Sequence, residues 1–439
     1  MRHIRSRFTP VAVGGVALAM ILSACNGDEP AGENGENGAD GENGAEGAES
    51  ADLTAWFMEN SVNQDALDWL VEEFESQNEG STLTIQIQPW PGIVELLQTS
   101  LPDSSQTPDV LEIGNTQAST FTSVGAFSPV DDILEDLGGS SLVESGVEAG
   151  SWEGETYAPP LYMGSRIIYY RADLLEEAGI EVPTTIRELE DAAIELNELN
   201  PEDQDGFTGM YLPAADPKTL EGWLFTYGGE YAVQQDDGTW EAQLSSPESL
   251  EGLRAAQRLL DEGSEYALDS NEQVQAAPEL FSAGRVGFLS ALAFAEADID
   301  EEMWENGQVG VMALPGTEPG TPGVTFAGGS NVAISAASPN QELAQEVLTL
   351  IYAQEFQELL ASDGWVPGNL DYAGALEGPT AEAHELAVEH SKLTPNTPAW
   401  GVADSAQLPV EIWTRIARGE DVEQVAADVD AELESILND

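Results

Sequence analysis

Hydrophobic and polar positions change rhythm repeatedly between residues 52 and 439, and each rhythm predicts an element. Residues 53–58 form a short, nearly continuous apolar run, the signature of a buried strand. Val62, Ala66, Leu67, Leu70, Val71 and Phe74 then recur at helical spacing. Leu83, Ile85 and Ile87 alternate with Thr84, Gln86 and Gln88, which predicts a half-buried strand. A short helix over 93–101, a strand over 109–113 and a helix from about Gln117 follow. Strands separated by helices indicate a parallel sheet with helical crossovers. Further strands are predicted at 285–289, 309–314 and 332–335. Ser338-Pro339-Asn340-Gln341 reads as a helix start, with an N-cap serine, a proline in the first turn and a capping-box glutamine. That helix continues through Leu343, Val347, Leu348 and Ile351. Val422, Val425, Ala426, Val429, Leu433 and Ile436 mark a last amphipathic helix over 422–437. No strong linker interrupts 52–439, which fits two α/β lobes sharing chain crossovers better than two tethered beads.

The pattern upstream is different. Arg2, Arg5 and Arg7 precede an apolar run over 11–22, and small residues lead to Cys25, the one cysteine of the chain. About a dozen apolar residues are too few for a spanning helix, which needs roughly 20. The order of charge, apolar run and small residues predicts a signal peptide over 1–24. Leu22-Ser23-Ala24-Cys25 resembles the bacterial lipobox, which implies lipidation at Cys25 and an extracytoplasmic protein anchored to the outer face of the cell membrane. Residues 26–50 carry eight acidic residues, no basic or aromatic ones, and a glycine at every third position from Gly32 to Gly47. Such a segment has no apolar area to bury, so 25–51 is expected to be the lipidated cysteine followed by a self-repelling spacer.

Composition narrows the chemistry. With a single cysteine there is no intramolecular disulfide and no cysteine-ligated zinc. Loss of His3 with the leader leaves His384 and His390, six residues apart in an acidic stretch and expected at the surface. No metal site and no cofactor are expected. Asp203-Gln204-Asp205-Gly206 suggests a calcium loop, but Pro201 and Leu212 occupy its first and twelfth ligand positions, so a turn is expected. The 81 Asp and Glu against 13 Lys and Arg exclude nucleic acid as a partner. Loss of the three leader arginines leaves ten basic residues, with Lys218 and Lys392 the lysines, and takes the net charge from -68 to -71. This acidity predicts a halophilic or salt-tolerant source.

In open parallel sheets, ligands bind beyond the carboxyl ends of the strands. The residues there are Glu59, Asn60 and Ser61, then Trp90, then Gly114-Asn115-Thr116-Gln117. Amides and carboxylates bond vicinal hydroxyls, and tryptophan packs on the apolar face of a sugar ring, so these sets suit a hydroxyl-rich, uncharged ligand. Helix N-capping suits Asn60 and Asn115 equally well. Gly328-Gly329 would let a ligand approach backbone N–H groups.

Pro108-Asp109-Val110-Leu111-Glu112-Ile113-Gly114-Asn115-Thr116, Gly125-Ala126-Phe127 and Gly154-Glu155-Thr156-Tyr157-Ala158-Pro159-Pro160 together resemble the extracellular solute-binding proteins of carbohydrate ABC importers. So do 168–179, the Gly328-Gly329-Ser330-Asn331 strand, and 395–400 with the closing helices. The resemblance runs from 53 to 437. It implies an α/β, two-lobed periplasmic-binding-protein-like fold of the class II type, each lobe a mostly parallel sheet flanked by helices, with hinge crossovers. Lobe 1 would be 52–163 plus 293–352, and lobe 2 would be 164–292 plus 353–439. Carried over by position, the cleft would hold Glu59, Asn60, Trp90, Asn115, Gln117, Arg166, Trp223, Ser330, Asn331 and Trp365. The implied protein is no enzyme but a monomer that captures a sugar, an oligosaccharide above all, and hands it to membrane permease subunits. A binding protein for a charged solute such as a polyamine, or a secreted glycoside hydrolase, are the alternatives.

Self-repulsion among so many carboxylates is screened at high salt. The melting temperature is therefore expected to fall on dilution from about 2 M to about 50 mM salt, and an unchanged melting temperature would remove the halophilic reading.

Overall fold

The computed structural model describes residues 50–268 and 277–438. The expected leader, Cys25 and nearly all of the expected spacer lie outside them. Ala51 already belongs to the folded body, its N–H donating to Ser81 Oγ at 3.2 Å and its carbonyl accepting from Thr82 at 3.0 Å.

Ten strands build two sheets: β1 (Asp52–Met58), β2 (Thr82–Gln88), β3 (Val110–Gly114), β4 (Pro160–Gly164), β5 (Ile167–Arg171), β6 (Thr208–Tyr211), β7 (Val286–Ala291), β8 (Val309–Met312), β9 (Gly328–Ile334) and β10 (Val366–Pro367). The first sheet has the order β10-β4-β9-β3-β1-β2 and the second β8-β5-β7-β6. Both are mixed, where mostly parallel sheets were expected. In the first, β1 runs parallel to β2 and β3, whereas β9 runs antiparallel to β3 and β4. In the second, β7 is parallel to β6, but β5 is antiparallel to both β7 and β8. The reversals arise where the chain returns to a sheet from the other lobe instead of through a local helix.

Burial follows the apolar pattern. β3 and β4 are buried along their length. The alternating β2 lies at the sheet edge, and its Ile87 stays half open to solvent. The helix Gln64–Gln77 lays Leu70 and Phe74 against Phe57 of β1 and against Leu348 and Phe356. Fully burying a side chain of that size contributes about 1.5–3 kcal/mol. The second core gathers Leu189, Trp223, Leu253, Trp413 and Val425. Its helices are well capped: Thr185 and Glu188 form a reciprocal box on Ile186–Leu199, and Asp421 caps the closing helix Val422–Leu437. The helix expected to start at Ser338 begins later, at Gln341. Ser338 donates its hydroxyl to Asp109 at 2.5 Å instead, and Asp109 also accepts from Thr54 N–H at 2.8 Å, so the serine ties the segment to β1 and β3.

The lobe boundaries also differ from expectation. β8, expected with lobe 1, pairs with β5 in the second sheet. β10 and the helix Gln354–Ser362, expected with lobe 2, join the first sheet and its core. The described chain therefore passes between the sheets at 165–166, again within 313–327, and again within 368–397. These crossings bond to one another. Thr325 and Phe326 pair with Ser391 and Lys392, and Ser165 donates its hydroxyl to the Phe326 carbonyl at 3.1 Å.

His384 belongs to this junction and not to the surface, where it was expected: it is 2% exposed. Its Nε2 accepts the Ser165 N–H at 3.4 Å. His390 is half-buried rather than free, with Nδ1 3.1 Å from the Leu386 carbonyl. Burial pushes the His384 imidazole down to about 4. An unfolded histidine titrates near 6.5, so the stability this ring contributes is complete above that pH and is lost as the pH falls toward about 4. The ring-proton NMR shift of His384 is expected to keep its neutral value until the pH approaches 4. A midpoint near 6.5 would mean that the ring is in water.

Candidate ligand-binding cleft

β3 ends at Gly114 and runs directly into the helix Asn115–Thr122, which puts Asn115 and Gln117 at the carboxyl edge of the first sheet. β9 enters antiparallel beside it, so Gly328 and Gly329 start at that same edge. Both glycines are required. A Cβ on Gly329 would lie 2.4 Å from the Tyr162 carbonyl oxygen, and one on Gly328 2.8 Å from that of Gly164. Gly329 also has φ 142, a conformation side chains rarely adopt.

Two adjoining hollows open over this edge, sharing Trp90, Lys218, Phe326, Gly328 and Gly329. The smaller, about 250 Å³, is bounded further by Tyr162, Arg166, Leu292, Ser330 and Trp365. The larger, about 710 Å³, adds Asn115, Gln117, Trp400, Glu95 and Asp404 among others. Lys218 and Trp400 come from elements packed on the second core, so both lobes supply walls. A separate hollow of about 480 Å³ near Trp152, Trp240 and Lys392 shares none of these lining residues.

The aromatic wall has a defined support. Tyr162 and Trp365 lie with ring centroids 4.4 Å apart, and Phe294 meets Trp365 edge-on at 6.1 Å. The Tyr162 hydroxyl donates to Glu112 at 2.9 Å and accepts from Ser330 at 3.1 Å. Glu112, on β3, also accepts the Ser61 hydroxyl at 2.6 Å and the Met58 N–H at 2.8 Å. Burial raises its carboxyl above the usual range, against the pull of those donors.

Of the residues expected here, Trp90, Asn115, Gln117, Arg166, Ser330 and Trp365 line the hollows. Asn115 donates to the Ala327 carbonyl at 2.8 Å, while Gln117 Oε1 has no hydrogen-bond partner. Arg166 is bonded to Asp216 at 2.8 Å. The other four lie elsewhere. Glu59 and Asn60 sit on an exposed turn, Asn60 with φ 61, and line neither hollow. Trp223 is 1% exposed inside the second core, because its helical neighbours bury that face. Asn331 follows Ser330 on a strand, and consecutive residues point to opposite faces. It bridges the Gly146 and Ala158 carbonyls at 2.7 and 2.5 Å. Sequence reasoning missed Tyr162, Lys218, Leu292, Phe326 and Trp400. Lys218 alone carried a signal, as one of two lysines in the chain.

Residues 60–358 match the family model for bacterial extracellular solute-binding protein. The diacetylchitobiose-binding protein DasA of Streptomyces coelicolor is 27% identical over 439 aligned residues, 97% of each chain. The galactooligosaccharide-binding protein of Bacillus subtilis is 23% identical over 81% of this chain and 83% of that protein. Among solved structures, the sugar-binding protein MalE of Xanthomonas citri superposes with a TM-score of 0.78 at 20% identity, covering 88% of this chain and 97% of that one.

Glu112 accepts from three buried donors, and truncating it leaves them without their acceptor. Glu112→Ala is expected to cost about 3 kcal/mol in denaturant unfolding at neutral pH, and an unmoved midpoint would show that the carboxyl does not hold the sheet.

Proposed function

The chain belongs to the bacterial extracellular solute-binding proteins, and we propose that it captures a sugar, an oligosaccharide above all, between its lobes for delivery to an ABC importer. The observation that carries this reading is the ring-lined cleft over the Gly328-Gly329 edge. Trp90 and Trp365 offer flat apolar faces, the latter backed by Tyr162, and Asn115, Gln117 and Ser330 lie at the same edge to bond hydroxyls. The larger hollow falls within the range of small-molecule sites, roughly 300–1,000 Å³. The names of DasA and of the galactooligosaccharide-binding protein point to the same ligand class.

In this reading, lobe 1 is 52–164 with 328–376, lobe 2 is 167–312 with 398–439, and the three crossings act as the hinge. The lobes close on the guest, and the closed form meets the permease subunits. Residues 1–24 are the leader, Cys25 is lipidated, the acidic spacer holds the monomeric body off the membrane, and the source is salt-adapted. The protein releases its guest unchanged. A polycationic guest is disfavoured, because Arg166 and Lys218 line the smaller hollow and no carboxylate does.

The test is a thermal-shift and calorimetric screen against chito-, malto- and galacto-oligosaccharides. At least one is expected to raise the melting temperature, and silence across the panel, or product release over hours, would overturn the reading. Removing a stacked indole forfeits about 1–2 kcal/mol, so Trp365→Ala is expected to weaken the best ligand about tenfold.

A further inference from the structure

The smaller hollow departs from the chain's charge balance. The whole sequence holds 81 acidic residues against 13 Lys and Arg, yet this hollow is lined by two cations and no carboxylate. Glu95 and Asp404 border only the larger hollow.

The two cations are not equally engaged. Arg166 gives one guanidinium N–H to Asp216 at 2.8 Å, and Thr219 supports that carboxylate at 2.9 Å, so its charge is matched. Its buried Nε has no partner. Lys218 has no hydrogen-bonded carboxylate. Its Nζ lies 3.9 Å from the centre of the Phe326 ring and forms a longer ion pair with Glu221 Oε1 at 3.6 Å. Glu221 is fully buried, and burial pushes its carboxyl up to about 7, so near neutrality it offsets the ammonium only in part. An ammonium held against an aromatic face, with a carboxylate that offsets it only in part, can take an anion.

We propose that the guest carries a sugar carboxylate, as in a hexuronate, with the acidic ring seated in the smaller hollow against Lys218 and beside Arg166. The proposal rests on the carbohydrate reading above and narrows it. With Arg166 matched by Asp216 and Lys218 offset only in part by Glu221, no more than one positive charge is left over, which suits a singly charged carboxylate better than a phosphate monoester carrying about two charges. Trp365, backed by Tyr162, takes the ring face, as it would for a neutral sugar. The sequence-based expectation of an uncharged ligand is thereby revised at one ring, while the larger hollow keeps its neutral amides for the remainder.

The experiment is calorimetry on the intact body with matched disaccharide pairs of gluco, galacto and manno configuration, each neutral or uronate-terminated, at fixed ionic strength. In at least one configuration the uronate is expected to bind about tenfold tighter than its neutral parent, the size of one charge-assisted hydrogen bond. Lys218→Met should bring that ratio to about one, and Lys218→Arg should keep it, with melting curves confirming that both variants fold. Neutral sugars binding as tightly as uronates would overturn the carboxylate and leave the sugar reading intact. Tighter binding of a sulfated counterpart would overturn the carboxylate in favour of another anion. Binding of no sugar at all would bring down the carbohydrate reading together with this one.

Discussion

A carboxyl group removed from water costs several kcal/mol unless donors replace the water it loses. Glu112 meets that condition through three donors from three separate stretches: Met58 at the end of β1, Ser61 in the turn beyond it, and Tyr162 on β4. Two of the five other strands of the first sheet, β1 and β4, are thus fixed to β3 by side-chain bonds as well as by ladder bonds or packing. The arrangement also locks the orientation of Tyr162, whose ring backs Trp365 and whose hydroxyl accepts from Ser330. The cleft wall is therefore an extension of the sheet's polar interior, and its rings do not have to be ordered by the guest.

The junction between the lobes obeys the same rule. Ser165 bonds the Phe326 carbonyl and gives its N–H to His384, while Phe326 and Lys392 pair as neighbouring crossings. His384 Nδ1 is an exception to full satisfaction, buried without a partner. An uncharged imidazole tolerates that position where a charged one would not.

Long periodic segments were legible in the sequence because their burial is decided locally. The closing helix Val422–Leu437 and the strands β1 and β3 fall within a residue or so of expectation. The mixed sheet directions and the lobe boundaries were not legible, since β8 and β10 find partners more than a hundred residues away in sequence. Site residues divided along the same line. Trp90, Asn115 and Gln117 follow strand ends, a position the α/β rule identifies. Trp223 and Asn331 were placed in the cleft by family position, but helix phase and strand alternation turned both inward. Tyr162 and Phe326 carried no signal in the sequence, and only the three-dimensional meeting of the crossings gives them their place in the lining.

The connection between β4 and β5 is two residues long, Ser165 and Arg166. In the proposed closure, rotation of one lobe against the other would be absorbed at this crossing by a handful of backbone torsions, with no slack loop to share the strain. Arg166 is at once a joint in that short link and part of the smaller hollow's lining. Under that closure, whatever pressed on its guanidinium would push on the axle itself, and occupancy and angle would be geared together without any relay of intervening side chains.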